Sequence, residues 1–263
     1  AEVTDVLVTG GDPLFMSTAV LRRNIEPLLH EELDHITSIR IGTKSLSHWP
    51  YRFTTDRDAD DLLRLFEEVR QSGRQLALMA HFSHPRELRT GVAGEALRRL
   101  RDTGAVVRCQ APLIRHINDS PDIWAEMWRE QVRLGTIPYY LFVARNTGPR
   151  SYFEVPLDKA LQIFSDAVAQ VSGLARTVRG PIMSAAPGKV LVDCMASING
   201  QKVVVLKMIQ GRDPSWVNRV FFARYDPQAT WLDQLEPAFG EREFFFERSL
   251  QGMAADTWYP DWR

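Results

Sequence analysis

Short apolar runs rich in β-branched residues recur along the chain at residues 5–9, 36–41, 76–80, 105–108 and 137–143. Each is short enough for a buried strand, and each is followed by a segment of helical periodicity. Leu62, Leu65, Phe66 and Val69 fall on one helix face, and residues 17–29, 93–100, 122–134 and 156–171 carry similar stripes. Strands alternating with helices at this spacing form βα units, whose right-handed crossovers make the sheet parallel with the helices outside. The expected fold is therefore α/β, a closed or partly closed (β/α) barrel. After Gly180 the rhythm changes: residues 190–198 and 201–209 flank Asn199-Gly200, the pattern of a hairpin closed by a type I′ turn. The tail from Arg212, with Trp216, Phe221, Phe222, Trp231 and Phe244 to Phe246, reads as a packed aromatic cover. Two regions follow: 1–180, a partial βα barrel, and 181–263, a C-terminal extension built on the hairpin and the cover.

Composition narrows the function classes. The chain has 263 residues, 44% hydrophobic and 25% charged, as in an ordinary globular protein. Thirty-two basic residues against 33 acidic ones leave a net charge of -1, so no long-range field favours nucleic acid or an anionic membrane. No apolar run is long enough to span a bilayer and no export signal opens the chain, so a soluble cytoplasmic protein is expected. Cys109 and Cys194 stand far apart without CxxC spacing and read as buried free thiols. The start at Ala1, directly before a strand, has the look of a trimmed chain.

In parallel βα folds chemistry gathers where the strands end. The groups there are Gly10-Gly11-Asp12-Pro13, Gly42-Thr43-Lys44, His81-Phe82-Ser83-His84-Pro85, Gln110, Arg145 and Pro187-Gly188-Lys189. Each admits a plain reading. Gly10-Gly11 is a tight turn or a backbone edge left bare for a ligand. His81 and His84 have the spacing of a metal pair, but no third ligand of matching pattern accompanies them. Gln110 is a structural amide or a ligand contact. Lys189 is a solvated lysine or an amine that condenses with an aldehyde cofactor; a phosphate loop fails because Val190 follows it where Ser or Thr is needed.

Taken in order, these motifs resemble the lysine 2,3-aminomutase branch of the radical S-adenosylmethionine enzymes. The run from Asp5 to Leu14 resembles the segment that follows that family's cluster-binding loop. Arg40-Ile41-Gly42-Thr43, His81 to Pro85, Gln110 with Leu113-Ile114-Arg115 and Asn118-Asp119, Pro138 to Leu141, and Ser172-Gly173 ahead of Lys189 continue the likeness over roughly three-quarters of the chain. The resemblance implies a partial barrel holding S-adenosylmethionine, a [4Fe-4S] cluster and pyridoxal phosphate. It assigns Gly10, Gly11 and Asp12 to the methionine end of S-adenosylmethionine, Arg40, His81 and Gln110 to the same cofactor site, and Lys189 to the pyridoxal. It further implies a 5′-deoxyadenosyl radical that abstracts a substrate hydrogen, and 1,2-migration of an amino group on a small amino acid or amine, with flavodoxin or ferredoxin as electron donor. The aromatic tail leaves room for a homo-oligomer interface.

Three departures qualify the resemblance. The CxxxCxxC motif that would ligate the cluster is absent, which reads as N-terminal truncation, with a non-catalytic binding or scaffold homologue as the alternative. Where lysine-using members place two aspartates for the distal ammonium, this chain has Arg145 and Ile182. An arginine there favours an anionic end group, so the expected substrate is not lysine. The glycine-rich run before the pyridoxal lysine is reduced to Ser184-Ala185-Ala186-Pro187-Gly188, which keeps a radical reaction without pyridoxal phosphate as a rival.

Overall fold

A computed structural model describes residues 3–145 and 149–255. The chain divides into two compact units, the first made of residues 1–111, 123–139 and 171–178, the second of residues 112–122, 140–170 and 179–263. The last eight residues of the expected C-terminal extension, 256–263, lie outside the described residues.

The first unit contains β1 (Asp5–Val8), α1 (Thr18–Ile25), β2 (Ser38–Thr43), α2 (Ser45–His48), α3 (Ala59–Gln71), β3 (Gln75–His81), α4 (Gly91–Asp102), most of β4 (Val106–Leu113) and most of α5 (Pro121–Arg133). Strands β1 to β4 lie side by side in chain order, all parallel, with Val8 opposite Ile41, Thr43 opposite Ala80 and His81 opposite Gln110. The α3 stripe explains why this segment packs: Leu62, Leu65, Phe66 and Val69 are all fully buried. Each such side chain contributes about 1.5–3 kcal/mol of burial. On α5, Trp124 and Trp128 lie one turn apart with their rings tilted by 50° and centroids 5.7 Å from each other, and fill the same role.

The second unit takes the end of β5 (Ile137–Val143), then α6 (Arg150–Phe153), α7 (Leu157–Ala169), β6 (Arg179–Ala185), β7 (Gly188–Ile198), β8 (Gln201–Gly211), β9 (Val220–Arg224) and α8 (Glu247–Ala255). β6 runs parallel to β5, and β6 to β9 form an antiparallel meander. Asn199 (φ 50°) and Gly200 (φ 78°) close the β7–β8 hairpin with both turn residues left-handed, as the type I′ reading requires. Trp216, Phe221, Phe244 and Phe246 are buried in this unit's core with Val192, Leu206 and Met208, so the aromatic tail is a packed cover.

The α/β class, the consecutive parallel βα units and the antiparallel C-terminal addition agree with the sequence pattern. Several boundaries differ. β2 continues to Thr43 and β4 to Leu113, which puts Gly42 and Gln110 inside strands and not after them. Pro187-Gly188-Lys189 does follow a strand, β6, but Lys189 is already the second residue of β7. β6 is unanticipated because Gly180-Pro181 interrupts its apolar run, and β9 because its five residues merge with the aromatic tail. Cys109 is buried as expected, but Cys194 is exposed, since the β7–β8 register shifts between Val192 and Cys194. Among the described residues no helix is long and apolar enough to cross a membrane.

Candidate functional site: two groups of strand-end residues

In the first unit the chain leaves β1 through Gly10 (φ 100°) and Gly11 (φ 55°), both exposed. A side chain built at either position would meet nothing within 4 Å, so the backbone edge is bare as well as turned. Asp12 then anchors the turn. Its Oδ1 accepts from Leu14 N at 3.0 Å, opening a short 3₁₀ turn at Pro13. Its Oδ2 accepts from Thr43 Oγ1 (2.9 Å), Lys44 N (2.7 Å), Ser45 N (3.1 Å) and Ser45 Oγ (3.1 Å). One carboxylate thus ties the end of β1 to the end of β2. Behind the turn, Arg52, only 1% exposed, donates to Leu14 O at 3.0 Å and pairs with Asp58 at 2.8 Å. Burial is the largest single influence on the Asp58 carboxyl and raises it, but the Thr18 donors and the Arg52 charge together outweigh it and hold the carboxyl below its usual range.

The end of β3 carries a second network. His81 Nε2 lies 3.0 Å from Ser83 Oγ, Ser83 N donates to Glu87 Oε2 at 2.7 Å, and Lys44 Nζ stands 3.4 Å from Glu87 Oε1. Burial, reinforced by the Lys44 charge and opposed by Glu87, pushes the His81 imidazole down to about 4, so the ring is neutral at physiological pH. Half-buried Gln110 lies opposite His81 across the β3–β4 pair. Arg40 lies apart from these groups: it sits mid-strand on β2 and its Nε bonds Asp5 Oδ1, at the start of β1, at 2.8 Å. His84 caps the 3₁₀ turn that follows it, its Nδ1 accepting from Arg86 N at 3.2 Å.

The second unit holds the other predicted residues. Lys189 Nζ donates to Gln210 Oε1 at 2.6 Å and lies 5.7 Å from the centre of the Tyr140 ring. Arg145 is exposed and reaches Ser184 O at 3.4 Å, while Arg212 donates to Ala186 O at 2.7 Å. Ser184 pairs with Lys189 across β6 and β7, so the bonds of Arg145 and Arg212 fall at or beside the turn that joins those strands, while the Lys189 amine is held by Gln210 of β8. Ile182 is fully buried, paired with Phe142 and Leu191, and shows no surface to a ligand. Asn118 is likewise buried: its Oδ1 accepts from Ile114 N at 2.6 Å and its Nδ2 donates to Pro112 O at 3.0 Å, the bonds of a loop staple.

Lys44, Ser83, Glu87 and Arg52 are the contributors that sequence reasoning left without a role. Glu87, four residues beyond Ser83 and just after His84-Pro85, is the one local signal for the second network. The bare Gly10-Gly11 edge fits the approach of a polar cofactor end, and a lysine beside an aromatic face fits an aldehyde cofactor. An iron-sulfur cluster does not fit: among the described residues no three His, Cys, Asp or Glu side chains gather, and burial pushes the Cys109 thiol up to about 12.

No family model matches the chain. A protein from Aquifex aeolicus (strain VF5) named "Putative L-lysine 2,3-aminomutase" is 32% identical over 254 residues, which is 96% of this chain and 64% of that protein. The glutamate 2,3-aminomutase of Clostridioides difficile (strain 630) is 28% identical and the L-lysine 2,3-aminomutase of Fusobacterium nucleatum subsp. nucleatum 29% identical, each over 66% of this chain and 38% of its own length. The chain spans less than two thirds of the length of these relatives. A radical SAM methyltransferase structure from Sphaerobacter thermophilus overlays 68% of this chain and 51% of its own with a TM-score of 0.47 and 19% identity, too loose a match to carry an argument.

Proposed function

Because this chain belongs to the lysine 2,3-aminomutase-like family of radical S-adenosylmethionine enzymes, we propose that it serves a 1,2-amino migration on an amino acid or amine whose far end is anionic, a carboxylate or a phosphate. The observation that carries the substrate class is the exposed Arg145, whose guanidinium reaches Ser184 O near the β6–β7 turn. That described bond runs to a neutral oxygen. A carboxylate arriving there would add an opposite charge to the guanidinium donor and could be held by two parallel N–H···O bonds, which a carbonyl oxygen cannot match. An ammonium would meet repulsion. One relative is named for glutamate, an acidic amino acid, which supports this reading.

Pyridoxal phosphate, when bound, supplies an aldehyde that takes up an amine and a conjugated ring that spreads an unpaired electron. In this reading the Lys189 amine, oriented by Gln210 and the Tyr140 face, holds that group at the strand end. S-adenosylmethionine supplies the hydrogen-abstracting chemistry, and Gly10 and Gly11 offer its polar end two exposed backbone units while neutral His81 and the Gln110 amide provide polar contacts nearby. Asp12 then acts indirectly, by fixing the turn. Ligation of a cluster falls to no described residue of this chain.

The test is turnover by the intact protein, reconstituted anaerobically, of lysine against acidic amino acids in parallel. Preference for the acidic set, reduced at least tenfold in Arg145→Ala, is expected; turnover of free lysine with indifference to acidic amino acids overturns the substrate class. For the cofactor, an absorption band of lysine-bound pyridoxal that vanishes in Lys189→Ala is expected, and its absence from the wild type removes pyridoxal phosphate from the reading.

A further inference from the structure

We propose that Arg108 binds a ligand carboxylate on the strand face that it shares with His81 and Gln110, and so gives the first unit a preference for acids. Strand β4 alternates: Val107, Cys109 and Ala111 are buried, while Val106, Arg108 and Gln110 are half-buried. Successive side chains of a strand point to opposite faces, so Arg108 and Gln110 lie on the same one. The register carries that face across the sheet. Gln110 stands opposite His81, Arg108 opposite Met79, and Met79 opposite Gly42, which adds no side chain to its row. Along the strand the two rows are about 6–7 Å apart, within the span of one amino-acid-sized ligand.

The state of the guanidinium points to the ligand. Arg108 is half-buried, and its described contact is the face of Tyr139, with Cζ 5.0 Å from the ring centre. Among the described residues no carboxylate pairs with it and no oxygen accepts from it. Its nitrogens are not sealed either: the buried side-chain atoms without a partner belong to Thr54, Arg70, Arg74 and Gln131. The N–H groups of Arg108 are therefore open to an incoming acceptor. The other cation of this face, Arg40, is already neutralised, its Nε 2.8 Å from Asp5 Oδ1. A charge partly withdrawn from water without a counter-charge is costly, and a bound anion offsets that cost. Contact with a ring face uses none of the in-plane N–H fork, which matches the two oxygens of a planar carboxylate. A neutral amide supplies neither the charge nor the second oxygen. Calling the ligand a substrate rests on the proposed function; the carboxylate site does not.

The experiment titrates the 263-residue chain, free of cofactors and labelled with ¹⁵N at its arginine Nε positions, with glutarate, neutral glutaramide, phosphate and chloride at constant ionic strength. The Arg108 signal is identified by its loss in Arg108→Lys and Arg108→Gln. A saturable shift of that signal with glutarate, and none with glutaramide, is expected. Followed on the backbone amides of β3 and β4, affinity for glutarate should fall about threefold in Arg108→Lys, which keeps the charge and loses the fork, and about tenfold in Arg108→Gln. The wild-type signal decides the matter even should a variant misfold. No saturable shift with glutarate, an equal shift with glutaramide or chloride, or tighter binding of phosphate overturns the assignment. So does an unchanged glutarate affinity in a folded Arg108→Gln. In the intact, reconstituted protein Arg108→Gln should raise KM for an acidic amino acid about tenfold and change kcat less. Glutarate binding at Arg108 without turnover of any amino acid upholds the site and removes the functional reading, so the two failures are distinct.

Discussion

The turn after β1 and the turn before Lys189 both carry a left-handed glycine beside residues argued to bind ligand, and their surroundings are opposite. At Gly10 (φ 100°) an added Cβ meets nothing within 4 Å; at Gly188 (φ 144°) it would stand 1.9 Å from Gln210 O. The first glycine keeps a backbone edge open, the second lets two strands close. The side chains follow the same division. Asp12 spends five hydrogen bonds on its own unit and presents a fixed turn, whereas Arg145 is exposed and its described bond is a long one, 3.4 Å to Ser184 O. A tightly wired turn suits a ligand that does not vary; an exposed, lightly held side chain such as Arg145 can be exchanged with little cost to the fold, as a change of substrate requires.

Substitutions in the two turns test that contrast, beginning with the largest effect. Asp12→Ala strips the acceptor from two backbone N–H groups and two hydroxyls at the end of β2, and should cost roughly 3–5 kcal/mol in urea denaturation. A loss below about 1 kcal/mol would mean water replaces the carboxylate and the turn is not wired by it. Gly188→Ala forces a Cβ against main chain that cannot rotate away, and about 3 kcal/mol is expected; Gly10→Ala has only backbone strain to bear and should lose about 1–2 kcal/mol. Equal losses at the two positions would erase the distinction drawn here.

Acid should act through the first unit. The unfolded chain protonates His81 near pH 6.5 while the folded ring resists to about 4. Above pH 6.5 neither state holds the proton and the residue contributes nothing to the pH dependence. As pH falls from 6.5 to 4 the unfolded state is favoured, by on the order of 2–3 kcal/mol. Denaturation midpoints taken at pH 7 and 4.5 should therefore drop further for wild type than for His81→Gln; parallel slopes would show that burial does not hold the ring neutral. The smallest effect belongs to the second unit. Arg145→Ala should leave stability within about 0.5 kcal/mol, since the side chain is exposed and its one described bond is 3.4 Å long, while use of an acidic substrate falls.

What was legible in the sequence had local causes. Period-3.6 stripes placed α3, α4, α5 and α7, and Asn199-Gly200 placed a hairpin whose turn angles those residues favour. Gly10-Gly11 announced a turn, but not whether its far side is open. Arg40 was grouped with the cofactor residues because the motif contains it, and only the β1–β2 register reveals that its partner is Asp5. Ile182 shows the same limit, since burial in β6 depends on neighbours from β5 and β7.

By itself, then, the sequence determined the α/β class, the run of parallel βα units, the antiparallel end and the residue types at the strand ends. These follow from periodicity and turn chemistry within a few residues of each position. Tertiary structure decided which of those residues work together. Asp12 reaches Thr43 across 31 residues and Lys44 reaches Ser83 across 39, and sequence spacing carries no signal for such pairs. Strand register brings them together, and register is set by the packing of whole faces and not by any one motif.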